Sequence, residues 1–197
     1  MSKAQISTAQ GFLSLKSDYT GTGKYVYNSG TVYAQQHFTV PPGGGLDFQA
    51  SFQANTQKGC WPAFWLTAVD GWPPEIDLCE WKGNGKVSFN TFNTSSQVAA
   101  LDVPYPNPGS WHSIRSQLRA EADGSTLEIS FFLDDQLVAT QHGAKMVNVP
   151  FWFIIDYQML GSSGNIGPHD TTYFNVKGLT VTSITTSPGD SSGPGKP

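Results

Sequence analysis

The chain has 197 residues, of which 13% are charged and 13% aromatic, with 21 glycines and a formal net charge of -4 at pH 7. That length suits one domain with a full core. The acidic balance and the lack of any Lys/Arg cluster exclude nucleic acid as an expected partner and weigh against an anionic polymer. No apolar run reaches membrane-spanning length, so membrane insertion is not expected. The N-terminus MSKAQISTAQ carries no hydrophobic signal region.

After ten polar, uninformative residues come short alternating runs: GFLSLKS, KYVYNSG and TVYAQQHFTV (31–40), closed by a PPGGG loop. In LDFQASFQ (46–53), Leu46, Phe48, Ala50 and Phe52 alternate with Asp47, Gln49, Ser51 and Gln53, the period of a half-buried strand. WPAFWLTAV and EIDLCEW are expected to form an antiparallel hairpin across the DGWPP loop. VSFNTFN (87–93) continues the sheet, with Asn90 or Asn93 toward the same side as the acids of EIDLCE. Residues 95–110 read as a loop on the strength of PYPNPG. WHSIRSQLRA, TLEISFFLD and QLVATQ make a meander with turns at Asp123–Gly124 and Asp134–Asp135. In PFWFIIDYQ (150–158), Asp156 and Gln158 share a face with Trp152; GSSGNIGPHD (161–170) is a loop, and YFNVKGLTVTSI (173–184) is the last strand. About a dozen short strands without a helix signal predict an all-β antiparallel sandwich over residues 1–185. The Pro/Gly/Ser-rich stretch 186–197 reads as a linker or tail, with a further module or an anchor expected beyond it.

The chemistry concentrates between Gly59 and Gly83. Glu75, Asp77 and Glu80 fall within six positions, flanked by Trp61, Trp65, Trp72 and Trp81. Close carboxylates push one another's pKa values apart, as an acid/base pair requires. Indole rings suit the C–H faces of a sugar. Strand alternation puts Glu75 and Asp77 on one face but turns Glu80 away, unless an extra residue at Leu78–Cys79, a β-bulge, restores it. An acidic solvated strand is the simpler alternative, but such a strand has no reason to carry the tryptophans.

The run EIDLCE, preceded by WPAFWL and a Trp-Pro loop, resembles the signature of glycoside hydrolase family 16, which includes laminarinases, lichenases and agarases. A weaker likeness extends over YNSGTVYAQQHF, FFLDDQLV and PFWFIIDYQ, so that it covers roughly residues 11–184. The resemblance implies a concanavalin A-like jelly roll with a concave cleft. It also implies Glu75 as nucleophile, Asp77 as its assistant and Glu80 as acid/base, in a retaining endo-hydrolase. Relatives carry a histidine on the following strand, where this chain has Phe and Asn. Asn28, in YNSG, matches a segment that lines the family's cleft, though a plain turn explains it equally well.

The expected partner is a polysaccharide, first a neutral β-glucan with β-1,3 or mixed β-1,3/1,4 linkages. A galactan, transglycosylation, or a lectin-like binding module without turnover are the alternatives. Trp61, Trp65, Trp72, Trp81, Asn28, Asn90, Asp156 and Gln158 are the candidate substrate contacts. No cofactor is expected to be required. His37, His112, His142 and His169 show no metal-ligand spacing, and a structural calcium, implied by the resemblance, has no assignable ligands. Cys60 and Cys79 are expected to be free buried thiols, because diagonal cross-strand positions fit disulfide geometry poorly. The protein is expected to be a monomer and extracellular, with the signal peptide lying outside this sequence.

Overall fold

A computed structural model describes residues 1–21 and 26–185. The expected tail at 186–197 and the start of the KYVYNSG run lie outside them. In chain order the strands are β1 (Ile6–Ser7), β2 (Leu13–Tyr19), β3 (Tyr27–Ser29), β4 (Thr31–Tyr33), β5 (Gly44–Gln53), β6 (Cys60–Ala68) and β7 (Glu75–Glu80). They are followed by β8 (Lys86–Thr94), β9 (Gln97–Pro104), β10 (His112–Ala120), β11 (Leu127–Leu133), β12 (Gln136–Gly143), β13 (Phe151–Met159) and β14 (Thr172–Thr185). Among the described residues the only helical segments are two 3-10 turns, Lys3–Gln5 and Gly161–Ser163.

The strands form two antiparallel sheets. The larger runs β1-β2-β14-β5-β10-β11-β12, with β3 attached to β2; the smaller runs β4-β13-β6-β7-β8-β9. Period-2 alternation sorts each strand into a core row and an outer row. On β5, Phe48, Ala50 and Phe52 are buried as expected, and on β6 Phe64 and Leu66 meet them from the facing sheet. Phe52 stacks on Phe174 at 5.6 Å and packs against Phe64 at 5.1 Å, so aromatic rings fill the space between the layers. On the outer face of the larger sheet, Arg115 Nε and Nη2 donate to Asp47 Oδ1 and Oδ2 at 3.0 and 2.6 Å.

Three expectations need correction. Gln97–Pro104 is a strand rather than a loop: β9 pairs with β8 along most of its length, from Lys86↔Pro104 to Thr94↔Gln97. It is an edge strand that stays mostly exposed, and its apolar residues Val98–Leu101 run consecutively without period-2 alternation, beside the PYPNPG loop signal that masked it. The run 31–40 keeps only Thr31–Tyr33 as a strand, followed by a single bridge from Phe38 to Phe151. Trp81 is not in the cleft. It is 0% exposed and wedged among Phe52, Tyr105 and Phe174, with ring centroids 5.3–5.7 Å away. Once Glu80 points outward, its neighbour must point inward. Cys60 and Cys79 are free and buried.

Truncating a fully buried aromatic side chain costs about 3–5 kcal/mol. Trp81→Ala is therefore expected to lower the denaturant midpoint steeply. Trp72→Ala, at a position 52% exposed, should change stability by less than about 1 kcal/mol. Equal effects would place Trp81 outside the core.

Candidate active site

Strand β7 positions the acids. Its pairing with β6 runs Thr67↔Glu75, Leu66↔Ile76 and Trp65↔Asp77, then shifts so that Phe64 pairs with Cys79 and Ala63 with Glu80. On the other edge Asp77↔Asn90 is followed by Glu80↔Ser88, again with a shift. One extra residue therefore sits at Leu78–Cys79. Ile76, Leu78, Cys79 and Trp81 go to the core at 0% exposure, while Glu75, Asp77 and Glu80 share the outer face of the smaller sheet. The bulge deduced from the parity of the spacing is present.

Cross-strand register extends the site over the sheet. One row runs Tyr33, Ile154, Trp65, Asp77, Asn90, Ala100; the next runs Thr31, Asp156, Ala63, Glu80, Ser88, Asp102. Glu80 is only 7% exposed and surrounded by donors. Trp61 Nε1 donates to Oε2 at 2.6 Å, Asn90 Nδ2 to Oε1 at 2.8 Å, and Lys82 Nζ lies 2.7 Å from Oε1. Asn90 Nδ2 also lies 2.8 Å from Asp77 Oδ2, so one amide bridges two acids. Asp77 is coupled to Glu75 by charge, but among the described residues its hydrogen bond goes to Asn90, not to Glu75.

Burial raises the affinity of the other acids for protons. Glu75 is pushed up to about 7, first by desolvation and then by the charge of Glu80, with the Trp72 indole partly offsetting the rise. Desolvation and the neighbouring Glu80 and Glu75 push Asp77 well above the usual carboxylate range. Asp156 rises to about 7, mainly by burial, with Gln158 and Trp65 holding the rise down. The site thus holds one acid ringed by donors beside others left in apolar surroundings, the asymmetry on which acid/base pairs depend. Among the described residues no group of three or more His, Cys, Asp or Glu side chains is arranged to hold a metal ion.

The other candidates sort by register. Trp61 is held at Glu80 partly by Gly161, whose φ of +60° lets the backbone approach so closely that a Cβ would lie 2.7 Å from Trp61 Cζ3. Trp65 lies beside Asp77 in the cross-strand register. Trp72 overhangs the Glu75 end of the face, 6.0 Å from Phe92. Gln158 pairs with Trp61 and shares a cavity of about 410 Å³ with Asn28. Asn93 is diverted instead: its Nδ2 donates to the His142 carbonyl, and its Oδ1 accepts from the Ala144 N–H. Lys82 was not among the expected residues, although the same alternation that turns Glu80 outward turns Lys82 outward too.

A buried acid with a raised pKa binds more protons folded than unfolded. Its contribution to stability is therefore full below the unfolded value near 4.5 and lost as pH rises through about 7. Glu75→Gln is expected to be more stable than the parent at pH 8 by roughly 1 kcal/mol, discounted because water partly screens the group. The gain should vanish near pH 4. Thermal melts at the two pH values decide it, and a variant equally or less stable at pH 8 would contradict the raised pKa.

The comparisons agree with this geometry. Residues 8–152 match the family model described as glycosyl hydrolases family 16. A galactan endo-beta-1,3-galactanase of Flammulina velutipes is 42% identical over 156 residues, covering 79% of this chain and 63% of that protein. An endo-1,3-1,4-beta-glycanase, ExsH, of Rhizobium meliloti (strain 1021) is 27% identical over 150 residues, 71% of this chain and 30% of its own length. The chain thus spans less than two thirds of these relatives. Among solved structures, an endo-1,3-beta-glucanase from Streptomyces sioyaensis superposes with a TM-score of 0.77 at 19% identity, covering 94% of this chain and 80% of that one. The catalytic domain of a laminarinase from Thermotoga petrophila RKU-1 gives 0.74 at 16% identity, covering 94% and 82%. With its two-sheet fold, its bulged acidic strand and a family match over most of its length, the chain belongs to glycosyl hydrolase family 16.

Proposed function

We propose that the protein is a retaining endo-glycoside hydrolase acting on a neutral β-1,3-linked polysaccharide. The observation that carries this reading is the bulge at Leu78–Cys79, which sets two glutamates and an aspartate on one open face. A protein that only binds sugar has no use for such a repulsive cluster. The sequence alone favoured β-glucan. The 42% identity to a protein named for β-1,3-galactan moves galactan to first place, with β-1,3-glucan as the second polymer.

In this reading Glu75 attacks the anomeric carbon, and Glu80 donates a proton to the departing glycosidic oxygen. Glu80 then takes a proton from the water that releases the glycosyl-enzyme. Glu80 accepts from Lys82, Asn90 and Trp61, and Glu75 is raised to about 7. The productive form needs the proton on Glu80 and the charge on Glu75. Lys82, a flexible side chain at the surface end of the strand, is the donor best able to move off Oε1 when substrate enters. Asn90 keeps Asp77 and Glu80 in register throughout. Activity should rise as pH climbs through about 7, because Glu75 must lose its proton to attack.

The test is release of new reducing ends from a panel of β-1,3-galactan, β-1,3-glucan, mixed-linkage glucan and agar. Glu75→Gln and Glu80→Gln should each lose at least about a hundredfold in rate. NMR of the first product should show retained anomeric configuration, and azide should restore turnover to Glu75→Ala with inverted product. An inverted first product from the parent protein would eliminate Glu75 as nucleophile. The absence of cleavage across the whole panel would eliminate the hydrolase reading.

A further inference from the structure

The outer face of the larger sheet, on the opposite side of the sandwich from the acids, carries a groove that the catalytic chemistry leaves unused. Its floor is a cross-strand row: Ser14 on β2, Asn175 on β14 and Gln53 on β5. Alternation turns these three outward, since Leu15, Phe174 and Phe52 beside them are buried at 0% exposure. Asn175 Nδ2 donates to Gln53 Oε1 at 3.2 Å, and Gln53 Nε2 donates to the Gly109 carbonyl at 2.8 Å, which holds the two carboxamides along the row. Tyr173 stands on one side of the row, 51% exposed. Phe12 stands on the other, edge-on to Trp111 with centroids 5.5 Å apart at 72°. Two open cavities, of about 520 and 290 Å³, meet at Tyr173 and Asn175, which line both.

We infer that this groove is a second saccharide-binding site, separate from the cleavage face, that holds a neutral β-1,3-linked polysaccharide through Tyr173 and the Ser14–Asn175–Gln53 row. The inference rests on the polysaccharide reading above and adds a place where the polymer is held without being cut. An exposed tyrosine ring offers a flat apolar wall to the C–H face of a hexose. Below it, a hydroxyl and two carboxamides supply donors and acceptors together, and each NH2 group has a second N–H beyond the bond it already makes. Sugar hydroxyls, which both give and accept, match that floor; a purely apolar partner would cover it at a cost. The charge balance favours a neutral ligand. Among the described residues lining the two cavities, Asp170 is the single charged side chain. The cations beside the groove already have partners: Lys16 Nζ lies 2.8 Å from Asp18 Oδ2, and Lys177 Nζ lies 4.2 Å from the centre of the Trp111 ring.

Strands β2, β14 and β5 are neighbours in the larger sheet. Adjacent strands are about 4.8 Å apart, so the row spans roughly 10 Å, room for more than one sugar ring. The groove and the acids lie on the outer faces of different sheets, so a short oligosaccharide fills one or the other. A polymer can reach both. Held at the groove, it raises the effective concentration of its other segments at the acids, a gain that short substrates do not share.

The experiment uses 15N-labelled Glu75→Gln protein, so that ligands survive, and titrates β-1,3-linked galacto- and gluco-oligosaccharides by NMR. Two separate groups of amides should shift, one on β7 and β8 beside the acids and one at Ser14, Gln53, Tyr173 and Asn175. In electrophoresis through gels containing β-1,3-galactan or β-1,3-glucan, adding Tyr173→Ala should weaken retention by about tenfold. Tyr173→Phe, which keeps the ring, should be retained as before. With Glu75 intact, Tyr173→Ala should slow cleavage of the polymer and leave turnover of short oligosaccharides unchanged. Melting curves confirm that each variant is folded. Shifts confined to β7 and β8, or unchanged retention of Tyr173→Ala, would overturn the groove, and cleavage by the parent would leave the hydrolase standing. A Tyr173→Ala loss that is equal on polymer and short substrate would overturn the groove too. Shifts in the groove that Tyr173→Ala abolishes, without any cleavage by the parent, would support the groove and sink the hydrolase. If neither series shifts either face, both readings fall.

Discussion

A strand returns a side chain to the same face every second residue, and Glu75 and Glu80 are five apart. The rest of the site depends on how that mismatch is resolved. The extra residue at Leu78–Cys79 sends two consecutive side chains to the core and returns Glu80 to the face of Glu75 and Asp77. It also fixes the fate of the next two residues. Trp81 becomes the ring that packs on Phe52, Tyr105 and Phe174, and Lys82 emerges beside Glu80. One irregularity in pairing thus anchors the core and assembles the acids at the same place.

Three acids so close repel one another, and the structure offsets this unevenly. Glu80 is solvated by the protein, through Trp61, Asn90 and Lys82. Glu75 and Asp156 lie in poorer surroundings and are raised to about 7. The unevenness destabilises the folded state above neutrality, and it keeps the protons that acid/base chemistry exchanges within reach of physiological pH. A site optimised for stability would pair every acid; this one leaves Glu75, the proposed nucleophile, with little support.

Most of the fold and the centre of the site were legible in the sequence, because both follow from alternation. The half-buried pattern of β5, the β6–β7 hairpin and the parity argument for the bulge all rest on which residues share a face. What escaped has physical reasons as well. Strand β9 is held by backbone pairing at an exposed edge, and its apolar residues Val98–Leu101 do not alternate with polar ones, so it lacks the half-buried pattern. Trp81 reads as a sugar contact in the sequence because it stands among Trp61, Trp65 and Trp72 beside the acids; only the phase of the strand after the bulge shows that it points inward. Lys82 was legible in the same phase, although the acids and tryptophans drew the site to their own positions.

The most direct test of the account asks which acid bonds to sugar. A β-1,3-linked oligosaccharide with fluorine at C2 of the reacting ring and a fluoride leaving group reacts without acid assistance and stalls at the glycosyl-enzyme. Peptide mass spectrometry after brief incubation should find the adduct on Glu75, in the peptide containing EIDLCE, and none after Glu75→Gln. An adduct on Glu80, or rapid turnover of the fluoride with no adduct on either glutamate, would contradict the assignment made from the bulge.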